Sequence, residues 1–177
     1  MSDGSTPHFA ELLADLERDR QAHCTEVGRK VARVSSRAPE WVRSELVAAA
    51  MLHDIGYAHP DTGFHALDGA RFLHAAGFSP VVCCLVLNHS ASTYEAEVRG
   101  IAPSIYAEFA VDQDLTSVHP LLWWADMTTG PQGQTVTVEQ RLAEICERYG
   151  PEDLVTEFIS RARPVLLAAG QPLTGSI

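Results

Sequence analysis

No run of apolar residues in this sequence is long enough to cross a membrane, because a spanning helix needs roughly 20 of them in succession. The chain also lacks a basic start followed by an apolar run, the pattern of a secretory signal. We therefore expect a cytoplasmic location and no membrane partner. The length of 177 residues, with 46% hydrophobic and 20% charged residues, predicts one globular domain over 1–177.

Positive charge is scarce. The chain has 13 Lys and Arg against 23 Asp and Glu, a net charge of −10, and its single lysine is Lys30. Such a balance disfavours binding to nucleic acid or to an anionic membrane surface. It does not exclude a phosphate substrate, because divalent cations held in a pocket can invert the field that the substrate meets.

The four cysteines form no CxxC pair. Cys83 and Cys84 are neighbours within the apolar run VVCCLVL, where small buried side chains are expected. We interpret them as core residues, and not as metal ligands or as a disulfide.

The apolar spacing predicts an all-α protein, without convincing strand alternation. Ser79 and Pro80 form a typical helix start, which favours a helix over a buried strand for VVCCLVL. We expect a short turn at 94–100 and, C-terminal to a motif-bearing core of about 20–130, final helices over about 138–169. The predicted helices are 8–37, 40–53, 65–77, 79–89, 103–111, 120–127, 138–149 and 151–169.

The strongest local signal is His53-Asp54, at the end of an apolar predicted helix. A neutral imidazole and a carboxylate both bind first-row metals or Mg²⁺. At a helix end, two adjacent side chains can reach one point, and a metal would compensate a buried carboxylate. An Asp that ends a helix beside a core histidine is also common, so the dipeptide alone leaves both interpretations open.

Four further residues repeat this pattern of His or Asp in apolar helices or at their ends: His23, His65, His89 and Asp126. Each alone could be structural, for example a histidine that faces a helix C-terminus. At a helix start, however, a protonated His65 would be unfavourable, which favours a neutral, ligating imidazole. Six such coincidences favour one shared metal site.

The order H…HD…H…H…D resembles the HD superfamily of metal-dependent phosphohydrolases, in particular small bacterial members with a second metal, such as the diadenosine tetraphosphate hydrolases with an HD domain. The resemblance covers about residues 20–130. Its pieces are His23 with its helix, MLHDIG at 51–56, GFHALDGARFL at 63–73, NHS at 88–90 and WWADMTTG at 123–130.

The resemblance implies an HD-type helical bundle with two divalent metal ions, from Fe, Mn, Co, Ni, Zn or Mg. His23, His53, Asp54 and Asp126 would bind the first ion, and Asp54 would bridge to a second ion completed by His65 and His89. His53 and Asp54 would thus be the catalytic residues, and a bridging water or hydroxide the nucleophile. The implied substrate is a nucleotide or another small phosphate ester.

One position departs from the family. Many members have a lysine directly after HDIG, and here that residue is Tyr57. We take Tyr57, Lys30 and Arg71 as candidate substrate contacts; Lys30 lies seven residues after His23, on roughly the same helix face.

Two alternatives to a phosphohydrolase stay open. Assembly into a homo-oligomer is also open. One is an HD-type diiron oxygenase, similar to myo-inositol oxygenase. The other is a non-catalytic module that binds metal or nucleotide. The short spacing between His53 and His65 favours the hydrolases.

Overall fold

The computed structural model describes residues 9–171, and within them the regular structure is helical, as predicted. An isolated antiparallel bridge joins Thr129 and Thr135. In this part of the chain, no helix combines the length and apolar character needed to span a bilayer. The α-helices are α1 Phe9–Leu13, α2 Arg18–Val34, α3 Arg43–Leu52, α4 His65–Ala75, α5 Pro80–Leu87, α6 Ser92–Val98, α7 His119–Met127, α8 Val138–Tyr149 and α9 Leu154–Ala169.

Short 3-10 turns occur at the ends of several helices. Two of them, Ile55–Tyr57 and His89–Ala91, follow α3 and α5 almost immediately. They redirect the chain just after residues that the sequence marked as candidate ligands. The others are Ser35–Arg37, Glu40–Val42 and Pro103–Ala107.

Three predicted elements differ from the structure. The helix expected over 8–37 is broken between α1 and α2, where Leu16 turns back to the Leu13 carbonyl and is buried; its first residue, His8, lies outside the described residues. The turn expected at 94–100 is largely helix α6, which packs against α9. The helix expected over 103–111 is only the turn Pro103–Ala107. Tertiary packing, which single-sequence periodicity does not report, decides these elements.

The first of two hydrophobic clusters is formed by α2, α3, α4, α5 and α7. Helix α5 lies in its middle, since six of its eight residues are buried, and α3 contributes the buried residues Leu46, Ala49, Ala50 and Leu52. Cys83 and Cys84 are buried within it as free thiols, as the apolar run predicted. Ser79 caps α5 by accepting the Val82 N–H, which confirms the helix start read from Ser-Pro.

The second cluster joins α8 and α9 to the ends of α6 and α7. Thr137 and Gln140 form a capping box at the start of α8. Along α7, Ala125 belongs to the first cluster and Met127 to the second. The intervening Asp126 therefore lies at the boundary between the two clusters.

Gly56 allows the chain after Asp54 to touch helix α4. A Cβ at this position would lie 2.0 Å from the His65 carbonyl oxygen and 2.7 Å from the Gly69 nitrogen. Both obstacles are main-chain atoms, so no side chain could turn away. The glycine thereby holds the Asp54 segment against the helix that begins with His65.

We expect Gly56→Ala to lower the free energy of unfolding by roughly 1–3 kcal/mol, because the added methyl group must push two backbone segments apart. Urea unfolding measures this loss. In Gly28→Ala, a Cβ would meet the side chain of Met51, which can rotate, so its loss should be smaller. An equal or greater loss in Gly28→Ala would contradict the backbone contact as the cause.

Candidate metal centre

The six candidate ligands converge from five helices. His53 and Asp54 follow the last residue of α3, His65 begins α4, and His89 lies just past α5. All but His65 are buried, and the His65 side chain is 14% exposed. The helix ends are turned inward, so polar side chains meet inside an apolar pack. The remaining two ligands, His23 and Asp126, come from α2 and α7.

A first group of ligand atoms surrounds the Nε2 atom of His53. It lies 3.3 Å from His23 Nε2, 3.7 Å from Asp126 Oδ1 and 3.7 Å from Asp54 Oδ1. His23 Nε2 lies 3.1 Å from Asp126 Oδ1. Ligands bound about 2.1 Å from one ion lie roughly 3.0–3.4 Å apart, so the group fits an ion after small movements.

A second group shares Asp54 with the first. Asp54 Oδ1 lies 3.6 Å from His65 Nε2 and 3.8 Å from His89 Nε2. The two imidazole Nε2 atoms are 3.2 Å apart. His23, His53 and Asp54 could hold one metal ion, and Asp54, His65 and His89 could also hold one. Asp54 Oδ1 is therefore common to both groups, and Asp126 adjoins the first.

The orientation of the imidazoles favours a cation inside this cluster. In three of the histidines, Nδ1 faces a main-chain carbonyl oxygen, which only accepts. Nδ1 must then carry the proton, and Nε2 directs a lone pair into the cluster. The pairs are His23 with Gly130 at 3.2 Å, His53 with Ala50 at 2.9 Å and His89 with Val86 at 2.6 Å. When both rings are neutral, the Nε2 lone pairs of His23 and His53 face each other, and a shared metal ion would remove this repulsion.

The two carboxylates are oriented in the same way as the histidines. In each, Oδ1 faces the imidazoles and Oδ2 accepts a hydrogen bond from another side chain. The donor to Asp54 is the Arg20 guanidinium, and the donor to Asp126 is the Ser90 hydroxyl. The second oxygen is thus occupied, which leaves one oxygen of each carboxylate available for a metal.

Comparison with known families matches residues 20–124 to the HD domain. The match spans more than half of the chain and includes five of the six converging residues. The chain belongs to the HD domain family. Most members of this family are metal-dependent phosphohydrolases. Neither the curated proteins nor the solved structures contain a significant match.

Burial and the neighbouring imidazoles of this HD domain favour the neutral forms of His65 and His89. Burial lowers the pKa of His65 to about 3, against the opposing effect of Asp54. Burial and the nearby His53 also lower the pKa of His89. The neutral imidazole is the form that binds metals. The second group is therefore ready to bind an ion at neutral pH.

The carboxylates of the centre are ionised in spite of their burial. Burial alone would raise the pKa of Asp54, but His53 and Arg20 hold it well below its usual value. The pKa of Asp126 is likewise lowered, because its contacts with His53 and His23 outweigh burial. Two buried negative charges thus face the lone pairs of the histidines, a combination that favours divalent cations.

The chain around Ser90 adopts a backbone conformation that only glycine reaches without strain. Ser90 and Ala91 have φ values of 47° and 59°. Non-glycine residues in this region cost on the order of 1 kcal/mol each, and such residues cluster at functional sites. Here the conformation follows His89, just past the end of helix α5, and aims the Ser90 hydroxyl at Asp126.

Sequence reasoning missed Arg20. Its guanidinium lies 3.7 Å from the centre of the Tyr57 ring and binds Asp54. The Tyr57 ring in turn stacks on His65 at 4.3 Å. Tyr57 occupies the position of the family's lysine, and Arg20 brings a cation to this place from another helix. The sequence signal that could have identified Arg20 was its spacing of about one helical turn from His23.

The structure does not bring Lys30 and Arg71 to the centre, so their prediction as phosphate contacts finds no support in their positions. The Lys30 ammonium donates to the carbonyl and hydroxyl of Thr128, at 2.6 and 3.2 Å. The Arg71 guanidinium binds the Glu108 carboxylate at the surface. Helical spacing predicted a shared face for Lys30 and His23, but the partner of Lys30 is the main-chain carbonyl of Thr128.

A cavity opens onto the metal-binding groups. The candidate ligands Asp54, His65, His89 and Asp126 line it, together with Arg20 and Tyr57. A further wall comes from α8 and α9, which lie beyond the matched HD domain. Sequence analysis assigned no role in the site to these two helices.

We expect the purified protein to bind about two divalent ions and His65→Ala to bind about one, since only the second group loses a ligand. Metal analysis after dialysis against Mn²⁺ measures this. His74→Ala is the matched control, because His74 is exposed in the same helix α4 and lies outside both groups. A His65→Ala protein that still binds two ions would contradict the second group.

A further prediction concerns the metal-free protein. The pKa of His65 is about 3 in the folded state against 6.5 ordinarily, so the unfolded chain binds more protons between these values. The free energy of unfolding should therefore fall as the pH drops below 6.5, by up to about 1.4 kcal/mol per pH unit from this histidine. Urea unfolding between pH 7 and pH 5 measures the slope.

His65→Gln should flatten this slope, since the group that gains the proton on unfolding is removed. His74→Gln should leave it unchanged. If His65→Gln shows the same pH dependence as the wild type, then His65 is not held in its neutral form by burial.

Proposed function

We propose that the protein is a metal-dependent phosphohydrolase that acts on a nucleotide or another small phosphate ester. The observation that carries the proposal is the buried Asp54 carboxylate, whose Oδ1 atom is shared by two groups of histidine lone pairs. Within an HD domain, a shared carboxylate of this kind supports a two-metal phosphoryl site.

The residues for each ion follow from the two groups. His23, His53, Asp54 and Asp126 would hold one ion, and Asp54, His65 and His89 the other. Two divalent ions bound there would supply an activated water and offset the charge of the phosphoryl group. This chemistry suits the acidic chain, because the cations and not the overall charge would attract the substrate.

The side chains around the ions would orient the substrate. Arg20 lines the cavity beside Asp54, and a guanidinium has enough N–H donors to hold that carboxylate and a phosphoryl oxygen together. The Tyr57 ring contacts the Arg20 guanidinium and also stacks on His65. It therefore limits where the guanidinium can move. Ser90 holds Asp126 in its orientation. Each contact restricts a group that would otherwise have to be ordered during the reaction.

We expect phosphate release from nucleoside monophosphates or p-nitrophenyl phosphate when the protein is loaded with Mn²⁺, Co²⁺, Ni²⁺ or Fe²⁺. Asp54→Asn should lower the rate by about 100-fold or more, because the shared ligand loses its charge. Inorganic phosphate is the measured product. The matched control is Asp61→Asn, since the Asp61 side chain is 79% exposed at the surface.

Other outcomes would decide against the hydrolase. Oxygen uptake by the anaerobically reduced Fe²⁺ protein, without phosphate release under any metal, would support a diiron oxygenase. Nucleotide binding without turnover would support a binding module. Equal rates in Asp54→Asn and the wild type would show that the observed phosphatase activity does not come from this centre.

A further inference from the structure

Arg141 in helix α8 is a buried cation with an unused donor. The residue is only 7% exposed, and its Nε atom has no hydrogen-bond partner among the described residues. The guanidinium donates once, from Nη1 to the Glu144 carboxylate at 2.6 Å. A buried N–H without an acceptor is unfavourable, so an acceptor is expected at this place. Arg141 lines the cavity that leads to the metal centre.

A second arginine lies beside it. Arg148, one to two turns further along α8, also lines the cavity and donates from Nε to Glu144 at 3.2 Å. The two oxygens of Glu144 thus hold one arginine each. One carboxylate compensates two guanidinium groups, which leaves a net positive charge on this wall. A further lining carboxylate, Glu95, is held by Arg99 at 2.7 Å.

The same wall is otherwise apolar. Ile145 and Tyr149 from α8, with Phe158 and Ile159 from α9, line the cavity next to the arginines. Apolar and aromatic surface of this kind fits a planar or hydrophobic group, while a guanidinium fixes an anionic one. The candidate metal ligands in the same cavity provide neither an apolar surface nor a guanidinium group.

We propose that this wall is a recognition subsite for phosphate esters that carry a second phosphoryl group and an apolar or aromatic portion. Arg141 binds the second phosphoryl group through its guanidinium, with Arg148 beside it, and the apolar side chains contact the rest of the molecule. A phosphoryl dianion matches two guanidinium groups better than a neutral acceptor does. The proposal rests on the proposed function, since it adds specificity to the same cavity.

The first experiment measures binding to metal-free protein, which separates this wall from the metal centre. The probes are adenosine 5′-diphosphate, adenosine 3′,5′-bisphosphate and adenosine 5′-monophosphate, titrated by calorimetry. We expect the wild type to bind at least one of the doubly phosphorylated probes about tenfold more tightly than the monophosphate. Arg141→Met should remove this preference.

Arg161→Met is the matched control, because Arg161 is an exposed arginine on α9 that is likewise paired with a carboxylate one turn away, Glu157. It should keep the preference. Unfolding in urea is measured for both variants: Arg141→Met should not be much less stable than the wild type, because it removes a buried unpaired donor. Should it fail to fold, Arg141→Lys replaces it, since it keeps the charge and lacks the planar guanidinium that matches a phosphoryl group.

The outcomes separate this proposal from the hydrolase proposal. A preference that survives in Arg141→Met or Arg141→Lys, or one that is absent from the wild type, overturns the subsite, even if the metal-loaded protein releases phosphate. A preference that depends on Arg141 supports the subsite, even if no metal gives turnover. In an active enzyme, the same variant should lower kcat/KM about tenfold for the doubly phosphorylated substrate alone.

Discussion

The structure depends on the electrostatics of one buried carboxylate, Asp54. Its Oδ1 atom faces three imidazole Nε2 atoms within 3.8 Å, and its Oδ2 atom accepts from Arg20. An ionised group at such depth is costly unless its charge is matched. Arg20 supplies one positive charge, but the lone pairs of the histidines remain directed at one another. Divalent ions between them would compensate the charge of Asp54 and accept the lone pairs of the histidines. Metal binding would therefore account for so many polar groups being buried together.

The fold delivers these groups by ending helices in the interior. A helix end lets neighbouring side chains point to one place, whereas successive residues within a helix diverge by about 100°. Asp54 follows α3, and the contact of Gly56 with α4 keeps it beside His65. The strained turn at Ser90 and Ala91 follows α5 and holds the Ser90 hydroxyl against Asp126. The surrounding apolar clusters make this possible, because they leave each ligand few alternative positions.

The sequence predicted the converging residues better than their surroundings. His23, His53, Asp54, His65, His89 and Asp126 could be found because polar residues in apolar helices are conspicuous, and the structure brings all six together. Arg20 was missed, since an arginine near a helix start is ordinary in a sequence. Lys30 was a reasonable candidate by helical spacing, but a spacing does not show which side chain or carbonyl lies opposite. Helix α6 was missed because its support comes from α9, far along the chain.

The two hydrophobic clusters position different parts of the cavity lining. The first cluster, which is nearly the extent of the HD domain match, carries the candidate ligands. The second cluster, built on α8 and α9, carries Arg141 and the apolar wall. Asp126 lies between Ala125 of one cluster and Met127 of the other. A change in α8 can therefore alter the shape and charge of the cavity without moving a candidate metal ligand.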